Sequence, residues 1–329
     1  MLRIHFTGED LGRVRVAAGP APMWETVLSL HRIQRGEDGV LLRQWRRSVR
    51  PALPRSVGML TSLVPRQGYF PDFLTPAGAP LELAEGVEGL LSSPRTVLRR
   101  DMNALAAERK VPPWAREVGD GSVGMLRHLV RALHAYHQVA VAPFRDLIRA
   151  QIDADRAVRA RALLDGGTDA LLAGMPPSIR WKAPVLEVDY PVPQELRLHG
   201  RGLLLIPSFF CWRTGVTLLH DAHTPVLVYP VRHRLPAVGD PGRSGRPLAA
   251  LLGQTRAAVL EAAHTPRTIA ELARHVGVSL SAASQHVAVL RDAGLLVSTR
   301  LGGGVLHRRT PLGSALLQGQ TLTGFPSSP

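Results

Sequence analysis

The chain has 329 residues, 45% hydrophobic and 20% charged, with a formal net charge of +14. That length and balance allow two globular domains with sizeable cores and exclude a disordered or fibrous chain. A single cysteine, Cys211, excludes a disulfide framework and fits a reducing compartment, while the positive charge favours polyanions, nucleic acid first and anionic membrane surface second.

The opening residues, MLRIHFTGED, lack the basic-then-apolar pattern of a signal peptide. The longest strongly apolar stretch, residues 202–212, is about half of the roughly 20 residues a spanning helix needs, and it contains Pro207. A cytoplasmic protein without a membrane span is expected. Residues 2–16 alternate loosely and predict small strands or an opening hairpin. Pro20 and Pro22 then precede a helix over 23–35, with Trp24, Val27, Leu28 and His31 on one side. Further helical patterns cover 40–50, 81–91, 94–109, 123–140 and 143–164, separated by Pro/Gly-rich stretches at 51–54, 65–80 and 112–113. From Trp181 the texture changes, and VLEVDY, ELRLHGRGLLLIPSFF, GVTLLH and PVLVYPV read as four short strands. The Pro/Gly/Arg-rich stretch 236–247 reads as a linker.

The most specific signal lies at 268–310. Thr268 and Glu271 form a T-x-x-E capping box, and Ile269, Leu272, Ala273 and Val276 recur on one helical face. Gly277 ends that helix and Ser279 is the N-cap of the next. There Leu280, Ala283, Val287 and Leu290 line one side, and Ser281, Ser284, Gln285 and Ala288 the other. Gly294 closes this second helix. Two strands follow around the tip Gly302, Gly303 and Gly304, flanked by Arg300, His307, Arg308 and Arg309, and Pro311 opens a last helix. This order is that of a winged helix-turn-helix. The fold expected is therefore α+β: a mostly helical N-terminal module with a small β-sheet (1–236), a linker (237–247), a winged helix-turn-helix (248–320) and a flexible tail (321–329).

The segment SLSAASQHVAVLRDAGLL resembles the recognition region of ArsR-type winged-helix regulators, through Ser281, Ser284, His286, Leu290, Ala293, Gly294 and Leu295. Ala283 and Val287 stand where that family usually has Val and Leu. LLGQTRAAVLEAA, residues 251–263, resembles the family's first domain helix. The resemblance implies a homodimeric repressor or activator that binds double-stranded DNA in response to a signal. The metal-sensing branch carries a cysteine cluster on the helix before the recognition helix. Here that helix has none, and one thiol makes no structural metal site, so metal sensing by that route is not expected. The region from FTGEDLGRVRVAAGPAPMWETVLSL to PVLVYPVRH resembles the large accessory region of an actinobacterial-type subgroup of such regulators.

The expected DNA contacts are Ser279, Ser281, Ala282, Ser284, Gln285, His286 and Arg291 on the second helix and Arg300, His307, Arg308 and Arg309 on the wing. Ser281, Ser284 and Gln285 would read bases, and the wing residues would hold phosphates or the minor groove. Net charge alone does not locate the site: residues 247–329 carry only +4, leaving +10 for the rest.

The N-terminal module offers weaker signals. His128, His134 and His137 share a helix, and His220, Asp221 and His223 share a turn, but neither group completes a metal or acid–base site. Ser208 and Cys211 lack a nucleophile frame. Trp24, Trp45, Trp114, Trp181 and Trp212 are either core or the lining of an apolar pocket. No catalytic set, metal or cofactor is expected, and the module is read as supplying dimer contacts, a small-molecule effector pocket, or both. The rival readings are an enzyme with a winged-helix targeting domain and a protein-interaction scaffold.

Overall fold

A computed structural model of the chain describes residues 1–36, 39–75, 78–218, 224–233, 252–301 and 304–318. The chain divides into two compact units, one built on Met1–Arg234 and one within Leu235–Thr323. The expected linker and tail lie outside the described residues.

The N-terminal unit contains helices α1 (Gly8–Leu11), α2 (Pro22–Gln34), α3 (Val40–Val49), α4 (Val57–Leu63), α5 (Leu83–Leu91), α6 (Arg95–Glu108), α7 (Ala115–Gly119), α8 (Val123–Ala140) and α9 (Arg145–Ala173). Its strands are β1 (Leu2–His5), β2 (Arg15–Val16), β3 (Ile179–Lys182), β4 (Val185–Val188), β5 (Gln194–Arg197), β6 (Leu204–Ser208) and β7 (Val226–Pro230). They form two sheets, not one: a mixed sheet in the order β3-β4-β1-β5 and a parallel sheet in the order β2-β6-β7.

Several sequence expectations are corrected here. Residues 2–16 do not make a hairpin, because α1 intervenes and sends β1 and β2 to different sheets. Among the described residues of GVTLLH the pairing is an isolated bridge, Val216 to Val228. Strand β3, hidden between Pro177 and Pro184, carries no long apolar run and is missing from the sequence reading. The helix expected to end at Leu164 breaks at Gly166 and Gly167, where the backbone leaves helical angles, and then resumes to Ala173.

The parallel sheet is a wall between two cores. Period-two alternation sends Ile206, Val226 and Val228 into the large helical core and Leu205, Leu227 and Tyr229 into the core beneath the mixed sheet. Asp10 ties α1 to the loop entering this wall. Its carboxylate accepts bonds from Thr7 N (2.8 Å), Thr7 Oγ1 (2.7 Å) and Gly202 N (3.0 Å). Burial pushes this carboxyl up, but the bonds from Thr7, Gly202 and Gly200 outweigh it and hold it below the ordinary value. Gly202 sits at φ +73°, and a Cβ there would lie 2.5 Å from the Arg13 carbonyl oxygen, so only glycine fits the approach.

Helix α2 opens with proline in its first turn, where the missing N–H costs nothing. It is buried on every side from Met23 to Ile33, so its polar residues need partners inside the protein. Thr26 Oγ1 meets His137 Nδ1 at 2.8 Å and Ser29 Oγ meets Tyr136 Oη at 2.9 Å. Glu25 Oε1 accepts from Phe209 N (3.0 Å), and Oε2 accepts from Phe210 N (3.1 Å) and Ser208 Oγ (3.2 Å). Burial pushes the Glu25 carboxyl up to about 7 from its ordinary 4.5, against the downward pull of the Phe209, Phe210 and Ser208 bonds.

This gives a signed prediction. Between pH 4.5 and 7 the unfolded chain releases the Glu25 proton while the folded chain keeps it. The group's contribution to stability is therefore full below that window, declines through it and is flat above. Glu25→Gln removes the titration, so the variant gains on the natural chain by up to about 3 kcal/mol as pH rises across the window. Urea unfolding of both proteins at several pH values checks it; parallel stability curves would show that Glu25 does not titrate there.

Candidate nucleic-acid interface

The C-terminal unit runs α10 (Gln254–Ala262), α11 (Ile269–Val276), α12 (Leu280–Asp292), β8 (Leu296–Leu301), β9 (Gly304–Arg309) and α13 (Pro311–Gln318). Local chemistry sets each boundary. Thr268 Oγ1 accepts from Glu271 N (3.3 Å), and Glu271 Oε2 accepts from Thr268 N (2.8 Å) and Thr268 Oγ1 (3.0 Å), which completes the capping box. These bonds from Thr268 hold the Glu271 carboxyl below its ordinary value, helped by Arg267 and Arg274. Gly277 takes φ +75° at the end of α11, and the Gly277 and Val278 amides both donate to the Ala273 carbonyl. Ser279 Oγ then caps α12 by accepting from Ala282 N at 3.2 Å.

Helices α10, α11 and α12 close on a core of Val259, Leu260, Leu272, Val287, Leu290 and Leu296. Ala283, Val287 and Leu290 are buried as expected. Leu280 is not: it is 61% exposed, because the first turn of α12 extends past the core that the later turns rest on. Ser281, Ser284 and Gln285 are exposed, while Ala282, His286 and Ala288 are half-buried. The exposed three lie at i, i+3 and i+4 and form one patch. The chain from Gly277 to Leu290 contains no acidic residue, so the positive end of the α12 dipole meets no neutralising carboxylate of its own helix. Arg291, at the other end of α12, pairs with Asp292 at 3.2 Å.

The wing divides the four basic residues expected to act together. Pairing sets Leu296 opposite Arg309, Ser298 opposite His307 and Arg300 opposite Val305, with Val297 opposite Arg308. Successive residues of a strand point to opposite faces. Arg308, exposed beside Val297, therefore lies on the face opposite to Arg300, His307 and Arg309. His307 corrects the expectation of a phosphate contact. It is 4% exposed, its Nδ1 meets Ser298 Oγ at 2.9 Å, and its backbone bridges to Arg267. Burial and the nearby Arg291 charge push this imidazole below its ordinary value. Arg309 is half-buried, with Nε enclosed. Arg300 and Arg308 remain as the exposed wing cations. Sequence reasoning passed over Arg274 and His275, which are exposed in the last turn of α11 next to the glycine turn; helix position alone would have marked them.

Residues 250–299 match the model of a helix-turn-helix domain. The C-terminal unit is a helix-turn-helix domain. The match covers α10 to α12 and most of β8 and supports DNA binding. No curated protein and no solved structure matches the chain.

Elsewhere, the sequence candidates are dispersed. His137 is half-buried, bonded to Thr26 and pushed down to about 4 by burial and by His134, whereas His134 and His128 are exposed. His220, Asp221 and His223 lie outside the described residues. Ser208 is engaged with Glu25, and burial pushes the Cys211 thiol up to about 12, so neither is primed as a nucleophile. Trp24 and Trp45 are core, Trp181 donates to Asp169, and Trp212 lines a cavity. No helix of the described residues is long and apolar enough to cross a membrane.

Two substitutions test how the domain is held. Gly277→Ala forces a side chain into left-handed backbone and should cost about 1–2 kcal/mol, and Thr268→Ala should cost about 1 kcal/mol through the lost cap. Both losses should appear as faster amide exchange across residues 272–290. Unchanged protection would mean that the turn is not built this way.

Proposed function

We propose that the chain is a sequence-specific DNA-binding transcriptional regulator, an ArsR-like repressor that acts in the cytoplasm as a homodimer and responds to a non-metal signal through its N-terminal unit. It is not an enzyme in this reading. The observation that carries it is the exposed, acid-free patch of Ser281, Ser284 and Gln285 on the second helix of a helix-turn-helix domain. Short polar side chains there suit hydrogen bonds to base edges in the major groove, and the helix N-terminus suits a phosphate. Arg300 and Arg308, on opposite faces of the wing, supply phosphate contacts that orient the helix without reading sequence. The resemblance to ArsR-type regulators supports the repressor and dimer assignments, as does the need for two half-sites about one helical turn apart.

Gln285→Ala and Ser284→Ala should each weaken binding to the selected site by about 1–3 kcal/mol while leaving random duplex binding unchanged. A site recovered by in vitro selection with the full chain provides the probe. Equal affinity of variants and natural protein for that site would end the assignment of α12 as the reading helix.

Arg300→Ala and Arg308→Ala should each reduce the log–log salt slope by about 0.9, and equally so on specific and random DNA. His307→Gln should leave the slope unchanged, since that imidazole is inside the hairpin. A salt titration in which the arginine variants keep the natural slope would remove the wing from the interface.

A further inference from the structure

A cavity of about 240 Å³ opens in the N-terminal unit between the second half of α2, the segments 66–72 and 190–194, and the 210–217 loop. Its volume exceeds the roughly 150 Å³ that accepts a benzene ring, so one ring with one functional group fits. Leu28, Phe70, Phe210 and Val216 give it an apolar, aromatic wall.

The polar groups at this cavity are unevenly satisfied. Arg35 gives its Nε to the Arg66 carbonyl at 2.8 Å, and neither Arg35 nor Arg66 has a carboxylate partner among the described residues. The two acids that line the same space are held by the protein: Glu108 Oε2 accepts from Tyr69 N at 3.0 Å, and Asp72 is buried and has partners of its own. The Trp212 indole N–H is buried without an acceptor among the described residues, and a buried donor left unpaired is costly. His31, 9% exposed at the cavity, is pushed down to about 4 by burial and by the charges of Arg32 and Arg35, against the bonds to the Pro65 and Arg66 carbonyls. The protein's own imidazole thus stays neutral, and the cavity lining offers two guanidiniums without a carboxylate partner among the described residues together with the Trp212 donor.

We propose that this cavity binds a small monocyclic carboxylic acid, with its ring against Phe70 and Phe210 and its carboxylate toward Arg35 and Arg66. A carboxylate suits the planar guanidinium fork, and the apolar wall favours a ring over an inorganic anion. The site stands on the N-terminal unit alone; its role as the signal that alters DNA binding rests on the regulator reading above.

Calorimetry on the full chain without DNA tests it, with benzoate, benzyl alcohol and inorganic phosphate as probes. Benzoate should bind saturably at one site per chain, and benzyl alcohol about tenfold or more weakly, the value of a hydrogen bond to a charged group. Arg66→Gln, at an exposed position where folding is not at stake, should weaken benzoate about as much and leave benzyl alcohol unchanged. No saturable benzoate binding, equal affinity for benzyl alcohol, tighter binding of phosphate, or full benzoate affinity in Arg66→Gln would each overturn the proposal. A chain that binds benzoate but no DNA would overturn the regulator reading alone, and one that binds DNA but no benzoate would overturn this site alone.

Discussion

The Glu25 carboxyl is the hinge-pin of the N-terminal unit. A helix as enclosed as α2 satisfies its polar groups within the protein or not at all, and Glu25 does so by collecting the Phe209 and Phe210 amides and the Ser208 hydroxyl at the exit of β6. That one group therefore fixes the central helix to the parallel sheet and sets the path of the chain beyond it. The path matters because it presents Phe210 and Trp212 to the cavity. Trp45 packs on Phe210 with ring centroids 4.7 Å apart and donates its indole N–H to the Ala140 carbonyl at 2.7 Å, so α3 and α8 brace the same loop from behind. The apolar wall is held by backbone bonds and aromatic packing rather than by its own loop.

The helix-turn-helix unit follows a different logic. Its boundaries are set within a few residues by a capping box, a left-handed glycine and a serine cap, and its core is small. The charge that would draw DNA to it is not a dense cluster of cations. It comes from exposed arginines on two faces of the wing and from a helix N-terminus with no acidic residue in its own first turns. Most of the surplus positive charge lies before residue 247.

The legible parts of the sequence were those governed by local rules. The spacing of Thr268 and Glu271, Gly277 and Ser279 marks the boundaries of α11 and the start of α12, and α8 runs from Val123 to Ala140 as its periodicity predicts. Features set by tertiary context are not carried by those rules. Leu280 has the right periodicity for a buried residue, but the core ends one turn before it. His307 has the residue type of a phosphate contact, although period-two alternation puts it and Arg308 on opposite faces. Whether β1 and β2 form a hairpin depends on partners near residues 186 and 205, which no window around them contains. The cavity is assembled from five separated stretches of chain, of which the sequence marks only Trp212 as a possible lining.

The pairing of β1 bears on the order in which the protein is made. Its residues 2–5 lie between β4 and β5, whose residues leave the ribosome only some 180 to 190 positions later, and β2 waits about as long for β6. Such distant pairings are slow to close and leave strand edges open in the meantime. During synthesis the first sixteen residues are therefore a tether without a dock, and the helices between them collapse around an unfinished wall. The helix-turn-helix unit, whose described core draws on residues 252–317, carries no such debt. A nascent chain stalled before residue 204 would expose the apolar faces that β6 and β7 later divide between two cores, so the step most open to chaperone binding is the wait for the parallel sheet.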